Sequence, residues 1–161
     1  MNIFKVNTDT TVYIISIIVV LFCLILPIVK INKPIISFSL IAYVLPIVLL
    51  VVTLLFVPTS YVLTKDQIVI KKVCGSIEIN KVDIVDVSLA GNELKGSVRT
   101  FASGGLFGYF GKYSSPKLGK YNMYAGTMKA NNLLVIKLKN GKKYVISPKG
   151  IDDFLLCLKE K

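Results

Sequence analysis

Residues able to do chemistry are few and scattered in this 161-residue chain. It has no histidine, and Cys23, Cys74 and Cys157 stand far apart with no CxxC pair. Zinc sites built on Cys/His spacing are thereby excluded, and no disulfide framework is expected. No nucleophile stands at a spacing that pairs it with a base, and Asp152 and Asp153 are explained as charges at a helix start. The most unusual stretch is glycine-rich, SGGLFGYFG over residues 103–111. It lacks both GxxxxGK(S/T) and GxGxxG, so it is not read as a phosphate cradle. What it offers is Leu106, Phe107, Tyr109 and Phe110 on a flexible backbone, flanked by Arg99, Lys112, Lys117 and Lys120. Aromatic rings beside cations suit a bilayer interface. The competing reading folds the stretch onto the domain, with Phe107 and Phe110 as satellite core, because large apolar side chains are more often buried than not. Arg99 is the only arginine. Its planar fork grips a phosphate or carboxylate at two points, or it pairs within the domain with Asp83, Asp86 or Glu93. Arg99, Leu106, Phe107, Tyr109, Phe110 and Lys112 are therefore the candidate partner- or membrane-contact residues. No catalytic residue, metal ligand or cofactor is expected.

The elements that would position these residues fall into two unlike halves. Residues 11–29 (TVYIISIIVVLFCLILPIV) and 34–57 (PIISFSLIAYVLPIVLLVVTLLFV) are uncharged apolar runs joined by a short link at residues 30–33. About 18 to 20 apolar residues cross a hydrocarbon core of roughly 30 Å. The expectation is a two-span transmembrane hairpin, with Pro34 opening the second helix and Pro46 within it. Lysines at positions 5, 65, 71 and 72 outnumber Lys30 and Lys33 in the link. Positive-inside then makes the protein a multi-pass membrane protein with both termini cytoplasmic. Residues 1–10 are read as a short polar tail without structure of its own. The remaining residues, 58–161, hold 17 of the 20 basic residues and 8 of the 9 acidic ones. They suffice for one small globular domain.

Within that domain the periodicity is mostly two. Residues 61–64 and 67–72 flank a tight turn at Lys65-Asp66, and Ile77 and Ile79 alternate with Ser76, Glu78 and Asn80. Val85, Val87 and Leu89 make a further strand, Tyr121, Met123 and Ala125 another, and Leu134, Ile136 and Leu138 a third. Asn140-Gly141 predicts a type I′ hairpin returning through residues 143–147. Ile151, Phe154, Leu155 and Leu158 then fall on one helical face, with Ser147-Pro148 as N-cap and first position. The expected fold is an all-β open barrel of about seven antiparallel strands, capped by a C-terminal α-helix.

Seven strands followed by a helix is the order of a pleckstrin-homology domain. Residues 94–112 (LKGSVRTFASGGLFGYFGK), with Val82-Asp83 and Ile84 before them and Val145-Ile146-Ser147-Pro148 after them, carry a more specific likeness. Over about residues 58–158 the chain resembles the bacterial PH-domain family found behind a two-helix membrane anchor. The resemblance implies this fold and placement in a bacterial inner membrane, and no reaction. The phosphoinositide site of eukaryotic relatives uses a long basic loop between the first two strands. Here that loop is only Lys65-Asp66, so the resemblance does not carry that site over. The expected function is a non-enzymatic PH-like scaffold that binds a protein partner, a homo-oligomeric copy or anionic lipid headgroups, and no nucleic acid. The alternative is an accessory or regulatory subunit of a membrane transporter or complex, with the helical hairpin as the interacting part.

Overall fold

The computed structural model describes residues 1–25 and 36–159, with side chains from residue 44 onward in the second segment. Strand β1 (Asn2–Lys5) leads into helix α1 (Thr10–Ile25). Helix α2 (Ile36–Leu55) is followed by β2 (Pro58–Leu63), β3 (Gln67–Lys72), β4 (Ser76–Asn80) and β5 (Ile84–Leu89). Then come β6 (Val98–Gly104), β7 (Tyr109–Ser115), β8 (Gly119–Ala125), β9 (Leu134–Leu138), β10 (Lys143–Ile146) and α3 (Ile151–Lys159).

The strands build two sheets, ordered β1-β2-β3-β4 and β5-β9-β10-β8-β7-β6. This corrects the expectation of about seven antiparallel strands. Among the described residues the domain from residue 58 onward holds nine strands, β1 adds a tenth, and β10 runs parallel to β8. The chain leaving β8 passes over one position to form β9, and β10 returns into the gap. The β9–β10 hairpin forms where Asn140-Gly141 predicts it, but not as type I′. Gly141 has φ +77°, and among the described residues Phe107 alone is a non-glycine at positive φ. Gly141 N–H donates to Leu138 O at 3.0 Å and Leu138 N–H to Lys142 O at 2.9 Å. That is the three-residue loop in which a type I turn ends on a left-handed glycine.

Consecutive residues of a strand point to opposite faces, and the central strands of the larger sheet bury both. Leu134, Ile136 and Ile146 face the small sheet, where they meet Tyr61, Leu63, Ile68, Ile70 and Ile79. Phe154 of α3 closes this core and meets Phe4 of β1 edge-on, with ring centroids 5.1 Å apart. Leu133, Val135 and Val145 face the other way, into a second core with Tyr113, Tyr121, Met123, Ala90, Leu94 and Leu118. Each such fully buried side chain stabilises the fold by about 1.5–3 kcal/mol.

The N-terminal residues are not a free tail. Asn2–Lys5 pairs antiparallel with Ser60–Leu63 of β2. The chain then crosses the seam between the sheets, bridging Val6 to Pro148 and Thr8 to Gly126. Ser147 is fully buried there and is not a helix cap. Its Oγ accepts from Gly126 N–H at 2.8 Å and donates to Asn7 O at 3.1 Å, and its N–H donates to the Tyr61 hydroxyl at 3.1 Å. Helix α3 starts only at Ile151, after Gly150. The close approach of Thr8 requires glycine at 126, where a Cβ would lie 2.5 Å from Asn7 O and 2.6 Å from Thr8 Oγ1.

The membrane-spanning expectation is also corrected. Among the described residues no helix is long and apolar enough to cross a membrane, which removes the basis for a multi-pass inner-membrane protein with cytoplasmic termini. One face of helix α1 serves the domain, since Val12 and Ser16 are buried. Helix α2 touches α1 and carries Pro46. The link at residues 30–33 and Pro34 lie outside the described residues.

Candidate functional site

Strands β6 and β7 form an antiparallel hairpin at one margin of the larger sheet, with β6 outermost. The register shifts between Arg99 and Phe101, so Val98 lies opposite Ser114 and Phe101 opposite Lys112. Arg99 and Thr100 thus share one position on the partner strand, a β-bulge. Without it Val98 and Phe101 would point to opposite faces. With it both join the face that carries Lys112 and, one strand further, Lys120 opposite Ser114. Phe101 is 83% exposed and Val98 64%.

The hairpin tip is held differently. Gly105 N–H donates to Gly108 O at 3.0 Å, and Ser103 Oγ to Leu106 O at 2.8 Å. Phe107 sits at φ +58°. That left-handed conformation costs roughly 1–2 kcal/mol in a residue with a Cβ. Its N–H donates to Ser16 Oγ of α1 at 2.8 Å, and Ser16 Oγ donates in turn to Val12 O at 2.7 Å. Beside this contact lies a mostly apolar cavity of about 260 Å³, lined by Val12, Tyr13, Leu54, Val57 and Phe107 among others.

The structure therefore separates the six candidate residues. Phe110 is buried at 6% exposure, and Leu106, Phe107 and Tyr109 are half-buried, with Tyr109 packed on the second core. Arg99 and Lys112 are exposed. The Arg99 side chain runs forward along its own strand, on the face of Tyr113, to Gly104, where any Cβ would collide with the guanidinium. It forms no ion pair with Asp83, Asp86 or Glu93. Lys137 takes Asp86 at 3.4 Å and Glu93 at 3.0 Å, and Glu93 is the chief cause of a raised Lys137 pKa. Beneath Arg99, Tyr113 stacks on Tyr121 at 5.7 Å and donates its hydroxyl to Ser103 O at 2.5 Å. Burial pushes the Tyr113 phenol up to about 12, against a smaller opposing pull from Arg99. These tyrosines are core and not surface.

Phe101 and Val98 are what sequence reasoning missed. The signal was their place in VRTFASG, which the neighbouring glycines disguise as loop. Residues 59–161, which include this hairpin and both cores, match the family described as bacterial PH domain. The chain belongs to that family. No curated protein and no solved structure is significantly similar to it. The PH-like fold makes this chain, in general terms, a binding or scaffold module. In this bacterial PH domain the matched segment begins after α2, so β1 and the seam contacts of residues 6–9 are supplied from outside it.

Proposed function

We propose that this bacterial PH domain is a non-enzymatic binding module that engages a protein partner through the exposed face of the β6–β7 hairpin. The observation that supports this is that Phe101, 83% exposed, shares one face with Val98 and with the cations Lys112 and Lys120, which have no carboxylate partner among the described residues. A large apolar side chain ringed by unpaired cations at a sheet margin has the composition of an interface core with its rim. The test is photo-crosslinking in cells, with a photoreactive residue at position 101 or, as control, at Leu89 on the opposite margin, 54% exposed. A protein adduct from 101 and none from 89 is the expected result. Adducts from neither position would overturn the reading, and an adduct to lipid alone would move it to anionic headgroups. The full chain is needed, because β1 is part of the small sheet.

A second reading rests on the helices. Ile14, Ile17, Ile18 and Leu21 of α1 and Leu45, Leu49 and Val52 of α2 are exposed. In that reading the helical pair docks onto a larger complex and the domain is its accessory part. Crosslinking from Ile18 tests it with the same reagents.

A further inference from the structure

Beyond the hairpin as a contact surface, the structure shows what shape and charge of partner it suits. We infer that the free edge of β6 takes an acidic peptide segment in extended conformation, with one apolar side chain resting on Val98 and Phe101. This rests on the binding reading above and sharpens it.

Three observations converge. Strand β6 ends its sheet, and on the side away from β7 no strand among the described residues pairs with it. An open edge is a template for a further strand, whose backbone hydrogen bonds supply affinity while alternate side chains supply specificity. The second observation is charge. Residues 94–151 contain eleven lysines and arginines and not one aspartate or glutamate. Of these only Lys129, with Asp9, and Lys137, with Asp86 and Glu93, form ion pairs among the described residues. Lys112 and Lys120 share the face of Phe101. Lys95 and Lys117 are exposed near the start of β6, where a Cβ on Gly96 would lie 3.5 Å from Pro116. A field of one sign over a surface selects a partner of the other. Third, the bulge brings Val98 and Phe101 onto one face and leaves residues 101–104 as the regular run. The added strand is therefore short, about four residues, with one apolar anchor.

Nucleic acid fits less well, since single strands bind by stacking successive bases on several aromatic side chains. Phe101 is the one exposed aromatic in the described strands. A bilayer would use the charge but has no use for a strand edge.

The experiment uses the purified full chain in a non-ionic detergent that covers the exposed helix faces. Its probe is a fluorescent nine-residue peptide in which serine alternates with four glutamates and one central valine, so that valine and glutamates share one face of a strand, followed by anisotropy. Controls are the counterpart with lysine in place of glutamate and two N-methylated versions, one blocked at the valine and every glutamate nitrogen and one at every serine nitrogen. A thymidine oligonucleotide and phosphatidylglycerol vesicles serve as competitors. The acidic peptide is expected to bind at least tenfold tighter than the basic one, and one of the methylated versions to lose binding while the other keeps it. Phe101→Ser and Lys112→Gln should each weaken binding about fivefold or more, with Leu89→Ser unchanged. Equal binding of both methylated peptides, stronger competition by oligonucleotide or vesicles than by unlabelled peptide, or no peptide binding would each overturn the inference. A protein crosslink from position 101 with no peptide binding would sink this inference and leave the broader reading standing. Loss of both would sink both.

Discussion

Two strands at sheet margins in this molecule meet opposite fates. Strand β1 edges the small sheet and β6 edges the large one. The chain that follows β1 is gripped from several sides: Asn7 N–H donates to Ser147 O at 2.7 Å and Asp9 N–H to Gly126 O at 2.9 Å. Asp9 accepts the Thr127 hydroxyl at 2.5 Å and pairs with Lys129 at 3.2 Å. Strand β6 has β7 on one side, solvent on the other, and an exposed phenylalanine on its face. The difference teaches that position in a sheet does not decide whether a strand is structural or available. What decides here is whether the chain next to it is tied into the seam between the sheets.

The sharpest way to break that comparison is to remove residues 1–9. Deletion unpairs Ser60–Leu63 of β2 and strips Ser147 and Gly126 of partners. The expected cost is about 4 kcal/mol or more, from several hydrogen bonds and the Phe4 contact. Denaturant unfolding followed by tyrosine fluorescence should show a much lower midpoint or no cooperative transition. Next in size is Phe154→Ala, which empties the place where β1, α3 and both sheets meet. It should cost about 3–5 kcal/mol.

Alkaline titration probes the same seam. Tyr61 donates to Tyr124 O at 2.6 Å and accepts from Ser147 N–H, and burial pushes its phenol from 10.0 to about 12. With the folded pKa raised, the unfolded chain gives up its proton first. The contribution is intact below pH 10 and is lost as pH rises toward 12, by about 3 kcal/mol. Stability measured from pH 9 to 12 should fall steeply, and less steeply in Tyr61→Phe, which starts lower for want of its hydrogen bonds.

Ser16→Ala should be milder, about 1 kcal/mol, and should speed exchange of the Phe107 amide, which loses its acceptor. Smallest of all is Phe101→Ser. A side chain 83% exposed contributes little, so the unfolding midpoint should move by less than about 0.5 kcal/mol. A large loss there would mean that β6 is as structural as β1, and the comparison would fail.

Much of the domain was legible because its strands carry local signals. Ile77 and Ile79, the turn at Lys65-Asp66 and the Phe154 face of α3 each follow from spacing within a few residues. What was hidden depends on distant partners. Nothing in NIFK foretells pairing with residues 60–63, and Ser147 reads as a cap until Asn7 is seen beside it. The apolar run at residues 11–29 looks devoted to lipid because hydropathy does not record that Val12 and Ser16 are used by the domain. On the β6–β7 hairpin, Arg99 and Lys112 were legible from charge. Phe101 was not, because only the bulge turns it onto the face of Val98. The split of the aromatic stretch into buried Phe110 and half-buried Phe107 is likewise set by the docking of the tip on α1.

The seam closed by residues 6–9 also sets an order on folding. Strand β1 precedes every other strand described, yet Ser147, which holds the chain after it, lies 140 residues from Asn7. A ribosome delivers the first strand early and its last partner late. Contacts of such separation form slowly, and until Ser147 arrives β1 has at most the edge of β2. In that interval the apolar faces of α1 and α2 stand beside two sheets not yet joined at their seam, the kind of species most prone to misassociation. Folding of this chain ends where its sequence starts.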